Sequence, residues 1–153
     1  MLSQNTDPVV IEIGNTVACG EQVPQTFTYE NFVARVFPVA DLFAIGCVEF
    51  GVESNEGGDT FVELTIFADD VVANPTTAAV LQIAVPIANG TTQQLFKVDL
   101  PPGVVVPAGG TFSVQLRTPD RDPSAGGDGG GIYLGSNNNG QSAPSYVKAA
   151  TCG

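Results

Sequence analysis

Residues 60–68 read TFVELTIFA, and this stretch decides the fold class. Val62, Leu64 and Ile66 fall on one side of an extended chain, and Glu63 and Thr65 fall on the other. Side chains alternate across a strand, so a period of two gives one apolar face and one wet face. A helix needs apolar residues three and four apart, and almost no stretch of this chain keeps that spacing.

The same alternation recurs on both sides. In CVEFGVE (47–53), Val48, Phe50 and Val52 oppose Glu49 and Glu53. In AVLQIAVPI (79–87), Leu81, Ile83 and Val85 oppose Gln82. In LFKVDL (95–100), Phe96, Val98 and Leu100 oppose Lys97 and Asp99, and in TFSVQLR (111–117), Phe112, Val114 and Leu116 oppose Ser113, Gln115 and Arg117. Further strands fit at DPVVIEIG, NFVARVFPV, GGIYLGS and SYVKAA. Turn chemistry separates these runs: SNEGGDT, the Asn89-Gly90 turn of ANGTT, and the proline-rich crossing LPPGVVVPAGGTF. FPVADLF (37–43) reads as one helical turn. About eight to ten short strands at regular spacing predict an all-β, two-sheet antiparallel sandwich, jelly-roll-like in its connections. The domain organisation expected is an N-terminal strand segment over 1–18, a candidate donor strand, followed by a β-sandwich domain over 19–153.

Sixteen acids face five bases, a net charge of −11 in 153 residues. Such a surface repels phosphate backbones and anionic membranes, which argues against nucleic-acid partners and membrane insertion. It suits solubility and the binding of cations. No run approaches the roughly eighteen apolar residues of a membrane helix, and the opening MLSQNTDPVV lacks the basic and apolar regions of a signal peptide.

The chain has no histidine, which removes Ser-His-Asp and Cys-His catalysis and most zinc and copper sites. It has no phosphate loop and no GxSxG, and no carboxylate pair is distinguished by its sequence, so a non-enzymatic role is expected. Tryptophan is absent too, leaving few flat rings for stacking sugars. Three cysteines allow one disulfide and one free thiol. Cys19 and Cys152 each sit in a CG at the end of a segment, one near each terminus, and are expected to pair. Cys47, inside a strand, is expected to be a small buried thiol.

Several polar loops have two readings. In TPDRDPSAGGDGGG (118–131), Asp120, Asp122 and Asp128 are candidate calcium ligands, because calcium takes many oxygens at adaptable angles. The competing reading is that they cap turns and stay in water. Asp69 and Asp70 carry the same pair of readings. SNNNGQSAPS (136–145), with Asn137, Asn138 and Asn139 beside Tyr133, is either a ligand loop or a long surface connection. Asn89 in Asn-Gly-Thr is a formal glycosylation acceptor.

The pieces ARVFPVADLF, VEFGVE, the crossing before TFSVQLRTPD, and above all the tail GSNNNGQSAPSY…CG resemble a jelly-roll-like β-sandwich domain of secreted, multidomain bacterial surface proteins. The resemblance runs from Asn31 to the end of the chain and implies an extracellular or cell-surface setting with an adhesive or structural role. It brings no active residues with it. In such domains an apolar strand follows the CG, whereas here Gly153 is the last residue and a strand-like segment, DPVVIEIGN, stands ahead of the match. Val9, Val10, Ile11 and Ile13 are therefore expected to form a strand that closes the sheet, in the same subunit or in the next one by strand addition. The resulting expectation is a structural subunit forming a head-to-tail homopolymer through that strand. The alternative is a carbohydrate- or surface-binding adhesion module, with calcium in the 120–128 loop.

Overall fold

The computed structural model describes residues 2–21 and 26–152. Its strands are β1 (Gly20–Glu21), β2 (Phe27–Thr28), β3 (Asn31–Pro38), β4 (Phe43–Ala44), β5 (Cys47–Glu56), β6 (Thr60–Phe67), β7 (Ala79–Ile87), β8 (Thr92–Asp99), β9 (Val105–Val106), β10 (Thr111–Thr118), β11 (Gly131–Leu134) and β12 (Tyr146–Lys148). A single 3-10 turn, Pro123–Ala125, stands between β10 and β11.

Two antiparallel sheets carry the architecture. One has five strands in the order β12-β3-β10-β6-β7, and the other has three in the order β11-β5-β8. Two small ribbons, β1-β2 and β4-β9, flank them. Neighbours in space are distant in sequence: β3 pairs with β10 along its whole length, from Asn31↔Thr118 to Pro38↔Thr111. The chain thus passes repeatedly from one sheet to the other, as a jelly-roll-like sandwich requires.

The alternating residues build the core. Val62 and Ile87 from the larger sheet meet Phe50, Val52, Ile132 and Leu134 from the smaller one, and all are buried. Toward the other end, Ile66 and Phe112 pack with Val39, Ile45, Val104 and Val106, and the Phe112 ring stacks on Phe37 at 5.0 Å and on Phe43 at 5.9 Å. Each fully buried side chain of this size favours the folded state by about 1.5–3 kcal/mol, so the two inner faces hold the sheets together.

Some expectations are corrected. FPVADLF contains no helical turn: residues 40–41 bend and Phe43–Ala44 pairs with Val105–Val106. Cys47 is free as the count requires, but it is exposed. It is the first residue of β5 and alternates with the inward-facing Val48, which puts its thiol on the outer side. The segment 7–14 forms no strand. It turns at residues 8–9 and again at 13–14, and its backbone joins no ladder. Pro8 lacks a donor and Gly14 has a φ of 78°, so both ends of the apolar run are turned away from an extended course.

Candidate functional site

The N-terminal residues 4–16 form a strap across the outer face of the small sheet and the tail that follows β11. Its centre is Ile11. Phe50 and Val52 point into the core, so Gly51 faces outward, and Ile11 fills the notch between Gly51 and Gly135. A Cβ on Gly51 would lie 2.7 Å from Ile11 Cδ1, and one on Gly135 would lie 2.8 Å from Ile11 Cγ2. Both distances are below van der Waals contact, so the notch exists only because both residues are glycine. Val10 is half-buried like Ile11, whereas Val9 is 68% exposed and Ile13 is 72% exposed.

Polar contacts hold the strap on either side of Ile11. The Asn137 amide donates to the carbonyls of Asp7 at 2.8 Å and Val10 at 2.9 Å. Gln93 of β8 donates to the Ile11 carbonyl at 2.7 Å. The Glu12 N–H donates to the Ser136 carbonyl at 2.9 Å, and the Asn138 N–H donates to the Glu12 carboxylate at 2.9 Å. Nearer the terminus, Thr6 donates to Gly140 and Ser142 donates to Gln4, while the buried Gln4 side chain caps the Val36 carbonyl at 2.6 Å. Side chains of Asn137 and Gln93 thus satisfy the carbonyls of Asp7, Val10 and Ile11, while an isolated antiparallel bridge, Asn5 to Gln141, and the Glu12–Ser136 bond hold the strap through the backbone.

Glu53 ties the strap to β5. It lies on the outer side of the small sheet, next to Val52, and is 7% exposed. Its carboxylate accepts the Gly14 N–H at 2.8 Å and the Thr16 hydroxyl at 2.5 Å. Thr16 also contacts the Leu134 carbonyl. Among the described residues no Lys or Arg pairs with Glu53. Its hydrogen-bond donors come from the strap, so a buried carboxylate depends on that segment.

The strap ends at the disulfide. Cys19 is bonded to Cys152, with 6.0 Å between their Cα atoms, as the sequence predicted. Asn31 accepts the Cys19 N–H at 2.7 Å and donates to the Cys19 carbonyl at 3.1 Å. Beside the disulfide is a shallow depression of about 200 Å³, bordered by Val17, Asn31, Val147 and Ala149.

The 118–131 loop is organised by a residue that sequence reasoning passed over. Arg121 is 2% exposed. Its Nε and Nη2 meet Asp128 at 2.7 Å and 2.5 Å, and its Nη1 donates to Asn55 Oδ1 at 2.6 Å. This hydrogen bonding holds the Asp128 carboxyl below the usual carboxylate range. A Cβ on Gly130 would lie 2.3 Å from the guanidinium, so glycine is required there. Asp120 accepts the Asp122 N–H, and Asp122 caps the 3-10 turn through Ser124. The three aspartates do not converge, and each is engaged in a turn or on Arg121. Among the described residues no group of three or more His, Cys, Asp or Glu is placed to hold a metal.

The other sequence-derived candidates are also placed. Tyr133 stands on the outer side of β11 with its ring over Gly131, and burial, then the charges of Glu56 and Glu53, push its phenol up. In the Asn137–Asn139 stretch, read as a ligand loop or a long surface connection, Asn137 and Asn138 bond the strap, and the Asn139 N–H folds back on Asn137 Oδ1 at 3.0 Å. Asn89 is exposed in the β7–β8 turn. Asp69 and Asp70 bond Asn74, Val72 and Ala73 in their own turn.

Glu53 had read simply as a wet-face residue of an alternating strand, and nothing in its neighbours announces burial. The Gly51 and Gly135 notch left a faint signal, glycine interrupting strand-like sequence, which often marks a close backbone approach.

Compared with known proteins, the chain matches no family model, no curated protein and no solved structure. Among the described residues no helix is long and apolar enough to cross a membrane. The disulfide is compatible with an oxidising, extracellular location.

Proposed function

We propose that this chain is a non-enzymatic, extracellular structural subunit that assembles head to tail by exchanging its N-terminal strap between copies. The observation that carries this reading is the cradle around Ile11: a two-glycine notch, an asparagine clamp and a buried Glu53 carboxylate, all fitted to one irregular segment. The strap belongs to neither sheet, so both sheets stay complete if it leaves. An emptied cradle exposes Glu53's donor-seeking oxygens and an apolar notch, and the segment of matching shape and hydrogen bonding is the same strap from another copy. Exchange of this kind is a low-cost route to assembly, and a head-to-tail contact that does not close gives a filament. The role foreseen for Val9, Val10, Ile11 and Ile13 is carried in this version by Ile11, and strand insertion becomes strap exchange.

The test is the mass distribution of the purified protein by light scattering, with negative-stain images, alongside Ile11→Asp and with or without a calcium chelator. The reading expects polymers in the parent protein and their loss in Ile11→Asp. Polymers that dissolve on chelation would bring calcium into the contact. A monomer at every concentration contradicts the reading and turns attention to polysaccharide binding near Tyr133.

A further inference from the structure

The chain contains two Asn-Gly pairs, Asn89-Gly90 and Asn139-Gly140. In such a pair the glycine nitrogen can approach the preceding side-chain carbonyl without a Cβ in the way. The fold treats the two pairs differently. At the β7–β8 turn the Gly90 N–H donates to the Asn55 carbonyl at 2.9 Å, so the nucleophile is engaged. The Asn89 side chain is anchored as well, accepting the Gly58 N–H at 3.2 Å, and its own N–H donates to Asp59 at 2.8 Å.

Asn139 and Gly140 are both exposed. Among the described residues neither the Asn139 side chain nor the Gly140 N–H has a hydrogen-bond partner; the Asn139 N–H bonds Asn137, and the Gly140 carbonyl accepts from Thr6. Gly140 has a φ of 87°. Among the described residues the side-chain amide and the glycine nitrogen are therefore both unengaged at Asn139-Gly140 and both engaged at Asn89-Gly90.

We infer that Asn139 is a site of spontaneous deamidation that loosens the strap. The Gly140 nitrogen gives its proton to solvent and attacks Asn139 Cγ. The new N–Cγ bond closes a succinimide, the Cγ–Nδ2 bond breaks, and ammonia leaves with a proton from water. Water then opens the ring at either carbonyl, leaving aspartate or isoaspartate at position 139. The net change is one amide and one water converted to one acid and one ammonia. The new carboxylate arises beside Asn138, whose N–H holds the Glu12 carboxylate, so like charges meet in the clamp. An isoaspartate also lengthens the main chain just before the carbonyl that receives the Thr6 N–H. The inference concerns the strap on its own chain and stands apart from assembly.

The test incubates the whole protein at mildly alkaline pH, folded and in urea, and follows both sites by peptide mass mapping. Position 139 is expected to convert at least several-fold faster than Asn89 in the folded protein, and the two at similar rates in urea. Amide exchange across residues 4–12 should rise with the converted fraction, and Asn139→Gln should hold it at its starting level. Equal conversion of both sites in the folded protein, or an intact Asn139 beside a converting urea control, overturns the site. Unchanged exchange in fully converted protein overturns the loosening.

Discussion

The carboxylate of Glu53, on β5, accepts the Gly14 N–H at 2.8 Å and the Thr16 hydroxyl at 2.5 Å, both from the strap. This links a residue of the small sheet to a segment nearly forty positions earlier. Replacing it by alanine leaves the Gly14 N–H without its acceptor and the Thr16 hydroxyl with the Leu134 carbonyl alone, a cost of about 1–3 kcal/mol. Glu53→Ala should accordingly accelerate amide exchange in residues 4–16 while leaving β3, β6 and β10 protected. Glu53→Gln keeps an acceptor at one oxygen and should have the smaller effect.

The notch makes a sharper prediction. A methyl group added at Gly51 or Gly135 occupies the space of Ile11, whereas at Gly46 it meets nothing within 4 Å. Gly51→Ala and Gly135→Ala should release the strap, and Gly46→Ala should not. Ile11→Asp should do the same by replacing an apolar contact worth about 1–3 kcal/mol. Hydrogen exchange resolved along the chain checks all four. Equal exchange in the three glycine variants would contradict the packing described for Ile11.

Arg121 is the most consequential charge in the sandwich, with a guanidinium 2% exposed and bonded to Asp128 and Asn55. Asp128→Asn leaves that cation underpaired and should lower the urea midpoint at neutral pH. The pH dependence has a definite sign. Hydrogen bonding to Arg121 lowers the Asp128 pKa in the folded state relative to the unfolded chain. Its contribution is therefore present above the ordinary carboxylate pKa of about 4 and is lost as pH falls through the lowered folded value. Denaturation curves from neutral pH into acid should show this loss in the parent protein, and a shallower acid limb in Asp128→Asn.

The Cys19–Cys152 bond joins residues 133 positions apart. Closing so long a loop restricts the unfolded chain, and its removal should cost about 2–5 kcal/mol. A Cys19→Ser/Cys152→Ser variant should unfold at lower urea and gain strap exchange, since Cys19 anchors the end of that segment. Cys47, exposed and unpaired, should react with a thiol reagent in the folded parent without changing either quantity.

The long strands were legible because their two faces differ. The inner faces of β5, β6 and β10 can be read off Phe50, Val62, Leu64 and Phe112, but the outer faces are not uniformly wet: Glu53, Thr65, Phe67 and Ser113 are buried there. The two-residue ribbons β1-β2 and β4-β9 were not legible, since pairs so short leave no period to detect. The strap misled for a physical reason: Val9, Val10, Ile11 and Ile13 have the composition of a strand, but Pro8 and Gly14 bound the run and side chains elsewhere supply its hydrogen bonds. The site itself lay almost wholly in long-range contacts. Asn137 meets Asp7 and Val10 across most of the chain's length, and no local pattern encodes that meeting. The Cys19–Cys152 pairing was legible because only three cysteines were available and two sat in matching positions.

The most direct measurement is a disulfide trap of the strap. In a Cys47→Ser background, Ile11→Cys removes the side chain whose Cγ2 lies 2.8 Å from a Cβ built on Gly135, so Gly135→Cys places a second thiol beside the first. After mild oxidation of concentrated protein, non-reducing electrophoresis reads whether each bond lies within one chain or between two. The account predicts a covalent ladder that collapses to a single band on reduction. A crosslinked monomer alone, with no ladder at any concentration, would contradict exchange and leave the strap as a fixture of its own chain.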